Sequence, residues 1–566
     1  MRRLRLSVTA SLAPVLCALL AATLPGSGQD TSASAGYAVR GTVVNAVSGQ
    51  PIARALVALN QDQAVLTTGD GEFSFDHVAA GSYAVSVNKP GFQGFGGFGH
   101  GMVVMRGRSG TMRSGPPRRV QVGPDMPALT FRIAPLAMIV GHVTLSTADP
   151  ADGIQIQILH RETQNGRQRW VVAGQTRTRS DGSFRMANLE SGSYKVSTQP
   201  SLDRPGSGGN NQGPIWGYPS VYYPGVTDFS AAGVLLLAAG QQAEADLTVV
   251  RQQFFPVTAF VHSPDETPAS FEILDSGGRQ TGIYANWDRR DGVARASVPN
   301  GTWTMEAHAY GRVMQFGSTT FQVSGAPATF AISVLPVPRI PVVIRREFLA
   351  SADGSQPPPS GPGMNLFLAP ADEGRPGMAG GGMNQVDGSN GAEWEINVTQ
   401  PGRYWVQVQA FPPAYVASIT SGGADLGSNP LVIVPGSSPM PVDVTLRNDA
   451  GSITGQVANE APPAGSSGST PAAGDRPQIW VYAIPLFSTP STVPEGFVEA
   501  TGQFNIPNLA PGSYRVVACD AQQEIDFHSP EGLAPWAGKG QTVTVDPGGT
   551  ASVDLDVLHV TGTVTE

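Results

Sequence analysis

Gly71-Glu72-Phe73-Ser74-Phe75, then Val78 and Gly81-Ser82-Tyr83-Ala84-Val85, is the stretch on which the reading of this chain turns. Apolar and polar residues alternate on both sides of Gly81, the period of a half-buried strand rather than of a helix. Phe73 and Phe75 fall on one face of the first strand, and Tyr83, Val85 and Val87 on one face of the second. Gly81 supplies the backbone freedom to turn back. The segment therefore reads as an antiparallel hairpin.

The same phrase returns as Gly182-Ser183-Phe184-Arg185-Met186 with Leu189 and Gly192-Ser193-Tyr194-Lys195-Val196. A third copy is Gly502-Gln503-Phe504-Asn505-Ile506 with Leu509 and Gly512-Ser513-Tyr514-Arg515-Val516. Weaker versions stand at Gly292 to Val298 with Gly301-Thr302-Trp303, and at Glu393 to Ile396 with Gly402-Arg403-Tyr404. An opening strand precedes each strong copy: Val39-Arg40-Gly41-Thr42-Val43, Ile139-Val140-Gly141-His142-Val143 and Ile453-Thr454-Gly455-Gln456-Val457. The interval from that Gly to the Tyr grows through polar loops, where insertions cost little. An internal repeat of this kind sets the architecture before any single strand does.

Short strands, frequent Gly and Pro turns and no helical period predict an all-β chain, a tandem array of about five small antiparallel Greek-key β-sandwich domains. Their expected limits are 37–134, 136–250, 251–337, 338–448 and 449–560, the third and fourth being divergent copies. Tyr83, Tyr194 and Tyr514 are expected at equivalent buried positions. Each copy holds a full set of strands, so the sandwiches are expected to fold independently and to form an extended or loosely bent array, touching end to end.

The motifs resemble the carboxypeptidase regulatory-like domain, a transthyretin-like or prealbumin-like sandwich grouped with carbohydrate-binding-like folds. The resemblance rests on the opening Gly strand, on Pro51-Ile52-Ala53-Arg54-Ala55-Leu56-Val57 and on the paired Gly-x-Phe and Gly-x-Tyr strands. It is strong over 37–92, 139–200 and 451–518 and suggestive over 251–337 and 339–448. Its implication is a fold and not an activity, since such modules accompany enzymes, transport receptors and adhesins alike.

Composition narrows the partners. Of 566 residues only 14% are charged, against about a quarter in ordinary domains, and the formal charge is −9 with no block of like sign beyond a few arginines near the start. Nucleic acid is therefore excluded as an expected partner. Arg2, Arg3 and Arg5, the apolar run from Ala13 to Leu24 and the small residues Gly26, Ser27 and Gly28 read as an export signal, residues 1–28. That run is too short to cross a bilayer, and no later one reaches the eighteen or so residues a membrane helix needs. The mature chain is expected without a transmembrane segment and exported to the periplasm, the outer surface or the medium. Cys519 is then its one cysteine, so no intramolecular disulfide is expected.

Low-complexity stretches at 93–117, 204–214, 356–390 and 462–476 read as surface loops. Reactive constellations are sparse. His262 with Asp265 and His528 with Glu531 have the His-x-x-acid form, yet a catalytic zinc needs three protein ligands around an open position, and the remaining histidine downstream, His559, stands near the terminus. No nucleophile elbow is present, so no catalytic residue, no metal site and no cofactor is expected. Lys195 is placed off the face marked by Tyr194 and Val196, which argues against a Lys–Asn cross-link in the core. The candidate ligand site is carbohydrate-binding: Trp216, Tyr218, Tyr222 and Tyr223, ring-bearing residues in a Pro- and Gly-rich run that would offer flat faces to a sugar. Against it stands the commoner role of alternating rings, which is core packing. The expectation is a secreted, non-enzymatic binding or structural protein, with a carbohydrate-binding accessory protein as the alternative and a polysaccharide or other envelope proteins as partners.

Overall fold

The computed structural model describes residues 36–60, 62–94, 104–105, 108–109, 118–124, 126–203, 214–262, 269–310, 313–349, 362–372, 381–386, 393–398, 400–458, 479–498 and 501–559. The expected signal at 1–28, Asp265, and most of the low-complexity segments lie outside them. Within them the regular secondary structure is almost wholly strand, with one short α-helix at Pro530–Leu533 and a 3-10 turn at Ala534–Trp536. Five hydrophobic cores follow one another along the sequence.

The first sandwich shows how each is built. Tyr37–Asn45 pairs antiparallel with Glu72–Val78 and parallel with Leu129–Ile133. The facing sheet runs Gln63–Leu66, Leu56–Leu59, Gly81–Asn88, Arg118–Val122. Phe73, Phe75 and Val78 point inward from one layer, and Val85 and Val87 from the other, as the alternation requires. In each of the five sandwiches the opening strand also pairs parallel with a closing strand; the second and fifth carry one further parallel pair each. The remaining pairs in these sandwiches are antiparallel, as expected.

A correction concerns the repeated phrase itself. Its two strands do not form a hairpin. Glu72–Val78 pairs with Tyr37–Asn45, whereas Gly81–Asn88 pairs with Leu56–Leu59 in the opposite sheet, so the chain crosses the core between them. The same division holds for Ser183–Leu189 and Gly192–Thr198, and for Gln503–Leu509 and Gly512–Cys519. The alternation is equally satisfied by two strands facing each other across a core, and long-range pairing decides between the two arrangements. The crossing requires glycine at one point: Gly81, Gly192, Gly301, Gly402 and Gly512 have φ of 157°, 150°, 150°, 149° and 153°, a region closed to side-chain-bearing residues.

A tyrosine pins the crossing. Tyr194, Tyr404 and Tyr514 each donate a hydroxyl hydrogen bond to the carbonyl four residues upstream, Glu190, Gln400 and Ala510, at 2.8, 2.7 and 2.7 Å. The Trp303 indole does the same to Pro299 at 3.0 Å. This use of a ring hydroxyl to tie a sheet-to-sheet corner is known from other Greek-key sandwiches. Tyr83, in the equivalent place, is only partly buried against its core.

Two sandwiches depart from the plan. In the fourth, Gly381–Gln385 pairs with both Met364–Pro370 and Trp394–Val398, so its two layers run together as one nine-stranded sheet. In the fifth, Trp480–Pro485 is buried along its whole length, because both of its faces are covered. Val481 and Ala483 face the sandwich core, while Trp480, Tyr482 and Ile484 meet a second cluster with Cys519, Ile525, Phe527 and Trp536.

The sandwiches also interlock, which independent beads in an array would not. Ser201–Asp203 and Ile215–Tyr218, from the second unit, form a hairpin that joins the sheet of the third through Gln252–His262. Phe316 of the third belongs to the core of the fourth. Between fourth and fifth, Asn508 Nδ2 donates to the Ala414 carbonyl at 3.3 Å and Ser488 Oγ to Asp425 at 3.1 Å.

Candidate functional site

The aromatic run after Gly213 folds back over the outer face of the second sandwich, and this decides the fate of its rings. Val221 N–H donates to Thr198 Oγ1 at 2.9 Å and Tyr223 N–H to the Val196 carbonyl at 2.9 Å, which lays the segment along the strand Gly192–Thr198. Tyr222 meets Phe229 edge to face, centroids 5.6 Å apart, in a small cluster with Leu159 and Trp170. Burial pushes its phenol up to about 12. Tyr218 and Tyr223 pack, partly buried, against the main core of that sandwich.

Trp216 stands apart from the other three. It lies on the added hairpin, opposite Asp203 on one side and Gln253 on the other, and is 36% exposed. The Arg251 guanidinium sits 5.0 Å from its ring centroid and is ion-paired to Asp203 at 2.7 Å. The four expected ring residues are thus not gathered on one surface: three serve packing, and Trp216 presents an aromatic face framed by charged and amide groups.

Beneath the same fold-back lies Lys195. Its ammonium donates to the Phe229 carbonyl at 2.8 Å and lies 4.1 Å from the Phe229 ring, at 6% exposure. Arg279, from the third sandwich, stacks on that ring at 3.9 Å. Tyr194 and Val196 face the core and Lys195 the other way, as alternation predicts, but the covering loop buries it.

Of the other residues singled out in the sequence, Cys519 and His528 are held in packing. Cys519 is fully buried in the second cluster of the fifth sandwich, and burial, with Asp520 nearby, pushes its thiol up to about 12. It should resist a thiol reagent at pH 8 in the native chain and react within the mixing time once unfolded in guanidinium; full native labelling at the unfolded rate would contradict this burial. His528 stacks on Phe527, ring centroids 3.9 Å apart, and not on a carboxylate. His559 pairs with Asp520 at 2.9 Å.

One donor group escaped the sequence reading. Glu272, Glu306 and His308 place one ligand-type atom each within 4.8 Å of one another in the third sandwich. Glu272 and Glu306 are directly opposite across antiparallel strands, and His308 follows two residues on, on the same face. The i, i+2 spacing of Glu306 and His308 was the available signal. Their burial, at 3% and 6% exposure, was not visible locally, since alternation assigns that face to the outside.

Residues 38–97 match the carboxypeptidase regulatory-like domain family, a span that holds five strands of the first sandwich and leaves out Arg118–Val122 and Leu129–Ile133. No curated protein matches the chain. Among solved structures, a streptococcal ancillary pilin is 10% identical, with 52% of this chain and 98% of that one covered at a TM-score of 0.18. The Bacillus anthracis TIE protein is 10% identical, with 75% and 74% covered at 0.14. A minor pilin of Streptococcus agalactiae is 12% identical, with 36% and 97% covered at 0.17. Scores this low do not describe a shared whole-chain arrangement. Among the described residues no helix is long and apolar enough to cross a membrane.

Proposed function

We propose that this chain is an exported, non-enzymatic structural or binding protein of the cell envelope, in which interlocked sandwiches hold loops at fixed positions. The observation that supports it most is the interlocking itself: the second sandwich lends strands to the third, and the fourth and fifth are tied side chain to backbone. Such bracing fixes relative position and draws on no reactive group. The side chains best suited to chemistry, Cys519, His528 and Lys195, are committed to packing. Export rests on residues 1–28. Expressed in full in a bacterial host with an intact secretion pathway, the chain should be cleaved near residue 28 and recovered outside the cytoplasm. An uncleaved chain retained in the cytoplasm would sink this reading.

A second reading, carbohydrate binding, is favoured by Trp216. An exposed indole face beside Asp203, Arg251 and Gln253 combines the stacking surface and the hydrogen-bonding groups that a sugar ring uses. A glycan array with the mature chain and its Trp216→Ala variant separates the two. Binding that Trp216→Ala abolishes supports the carbohydrate reading; an array without a bound glycan removes it and leaves the structural one.

A further inference from the structure

The second sandwich reaches past its neighbour. Gln155–Gln164 and Arg167–Arg177 make its longest hairpin, and the turn residues Asn165 and Gly166 have φ of 51° and 73°, the form that continues a twisted hairpin. The tip is seated on the fifth sandwich. His528 N–H donates to the Gly166 carbonyl at 3.4 Å, and Thr163 N–H donates to Glu524 Oε2 at 3.3 Å. A Cβ on Gly166 would enter the Phe527 ring. On the other side Arg167 stacks on Trp405 of the fourth sandwich, 3.4 Å from the ring centroid. The second sandwich thus meets the fourth and the fifth, both remote from it in sequence, at one turn.

The two hydrogen bonds from the hairpin tip to the fifth sandwich are long. Arg167 makes no ion pair among the described residues, although Asp526 lies near enough to attract it. Asp526 is itself engaged, accepting from Ser529 Oγ at 2.6 Å and from the His528 and Ser529 N–H groups at 3.2 Å. Asn165, Arg167, Trp405, Gln407, Thr489 and His528 surround a crevice with a free volume of about 10 Å³. That is room for about one water molecule, so a charge added there would be poorly solvated.

We propose that this junction is an acid-released clasp, closed at neutral pH and opened when His528 takes up a proton beside Arg167. The groups facing His528 set the sign. Arg167, from the hairpin, opposes a second cation; Asp526 and Glu524, on its own segment, favour one. The fourth sandwich contributes neutral Trp405 and Gln407, with Asp425 tied to Ser428 and Ser488. Burial first, and the Arg167 charge second, hold the imidazole down to about 4, against an ordinary value of about 6.5. Released from the clasp, His528 titrates nearer the ordinary value. Between these limits the open form binds a proton that the closed form refuses. Closure is therefore complete above about pH 6.5 and weakens as the pH falls toward 4, by at most about tenfold per unit.

Hydrogen exchange on the mature chain tests this, with rates corrected for their intrinsic pH dependence. Protection of the Thr163 and His528 amides should fall about tenfold or more from pH 7 to pH 5, while the core amide of Ile139 stays protected. His528→Asn, which cannot take the proton, should flatten that slope, and Arg167→Gln should make it shallower. Unchanged protection in the parent overturns the clasp. So does a parental slope in His528→Asn, which would make the carboxylates the trigger. If His528→Asn is unprotected at every pH, Arg167→Gln decides: a slope as steep as the parent's overturns the proposal.

Discussion

Tyr404→Ala, Tyr194→Ala and Tyr514→Ala should each destabilise their own sandwich by about 3–5 kcal/mol, the range for removing a large buried ring. The three rings are 1%, 1% and 2% exposed and rank among the largest fully buried side chains of the molecule. Each fills the space between layers where the chain crosses. Truncation opens a cavity that neither sheet can collapse into, since the crossing is fixed at both ends by strand pairing. The hydroxyl adds a separate share. Tyr→Phe keeps the ring but strands the carbonyl of Glu190, Gln400 or Ala510, at a cost of about 1–3 kcal/mol if water cannot reach it. Tyr83→Ala should cost less than its counterparts, because that ring is only partly buried. Chemical denaturation followed by exchange in each sandwich reads these values unit by unit. Three Ala variants that unfold with the parent would show that the crossings are not held in this way.

How far the sequence disclosed this arrangement depends on the range of the contact. Alternation identified which side chains of Phe73 to Val87 and of the opening strands point inward, because that is settled within a few residues. It could not separate a hairpin from a crossing, since Gly81 and the same alternation serve both, and the difference lies in pairing with Tyr37–Asn45 and Leu56–Leu59. The interlocking was hidden for the same reason. Nothing near Ile215–Tyr218 says that its partner is Gln252–His262 of the next unit. At the aromatic run, residue type was legible and neighbourhood was not: Tyr222 and Trp216 look alike as candidates, but one lies under Phe229 and the other on an exposed strand. Trp480–Pro485 is the instructive exception. A continuous apolar run is the mark of a strand buried on both faces, and its second covering layer, including Trp536, could have been sought from that alone.

The other large effect is expected at the opening glycines, and Gly455→Ala is the sharpest case. Gly455 lies opposite Phe504 on its antiparallel side and Val553 on its parallel side. A Cβ placed there would run into the Val553 carbonyl oxygen and stand 2.8 Å from the Phe504 ring. Neither can yield cheaply, because the carbonyl belongs to a paired strand and the ring is 3% exposed in a close-packed core. Gly41 meets Leu129 and Phe73, and Gly141 meets Ala245 and Phe184, in the same way, so the recurrent Gly answers to space and not to backbone angle. The closing strand must move off or the ring must leave its rotamer. Overpacking of this kind costs about 1–3 kcal/mol, and lost ladder hydrogen bonds add about 1 kcal/mol each, for a total near 3 kcal/mol or more. Two controls isolate the cause. Gly49→Ala has open space around it but φ of 69°, and should cost about 1–2 kcal/mol for the left-handed backbone alone. Gly69→Ala, with open space and no such φ, should be neutral or stabilising by up to about 1 kcal/mol. If Gly455→Ala melts with Gly69→Ala and the parent, the parallel closure by Thr550–Leu555 does not approach the opening strand this closely.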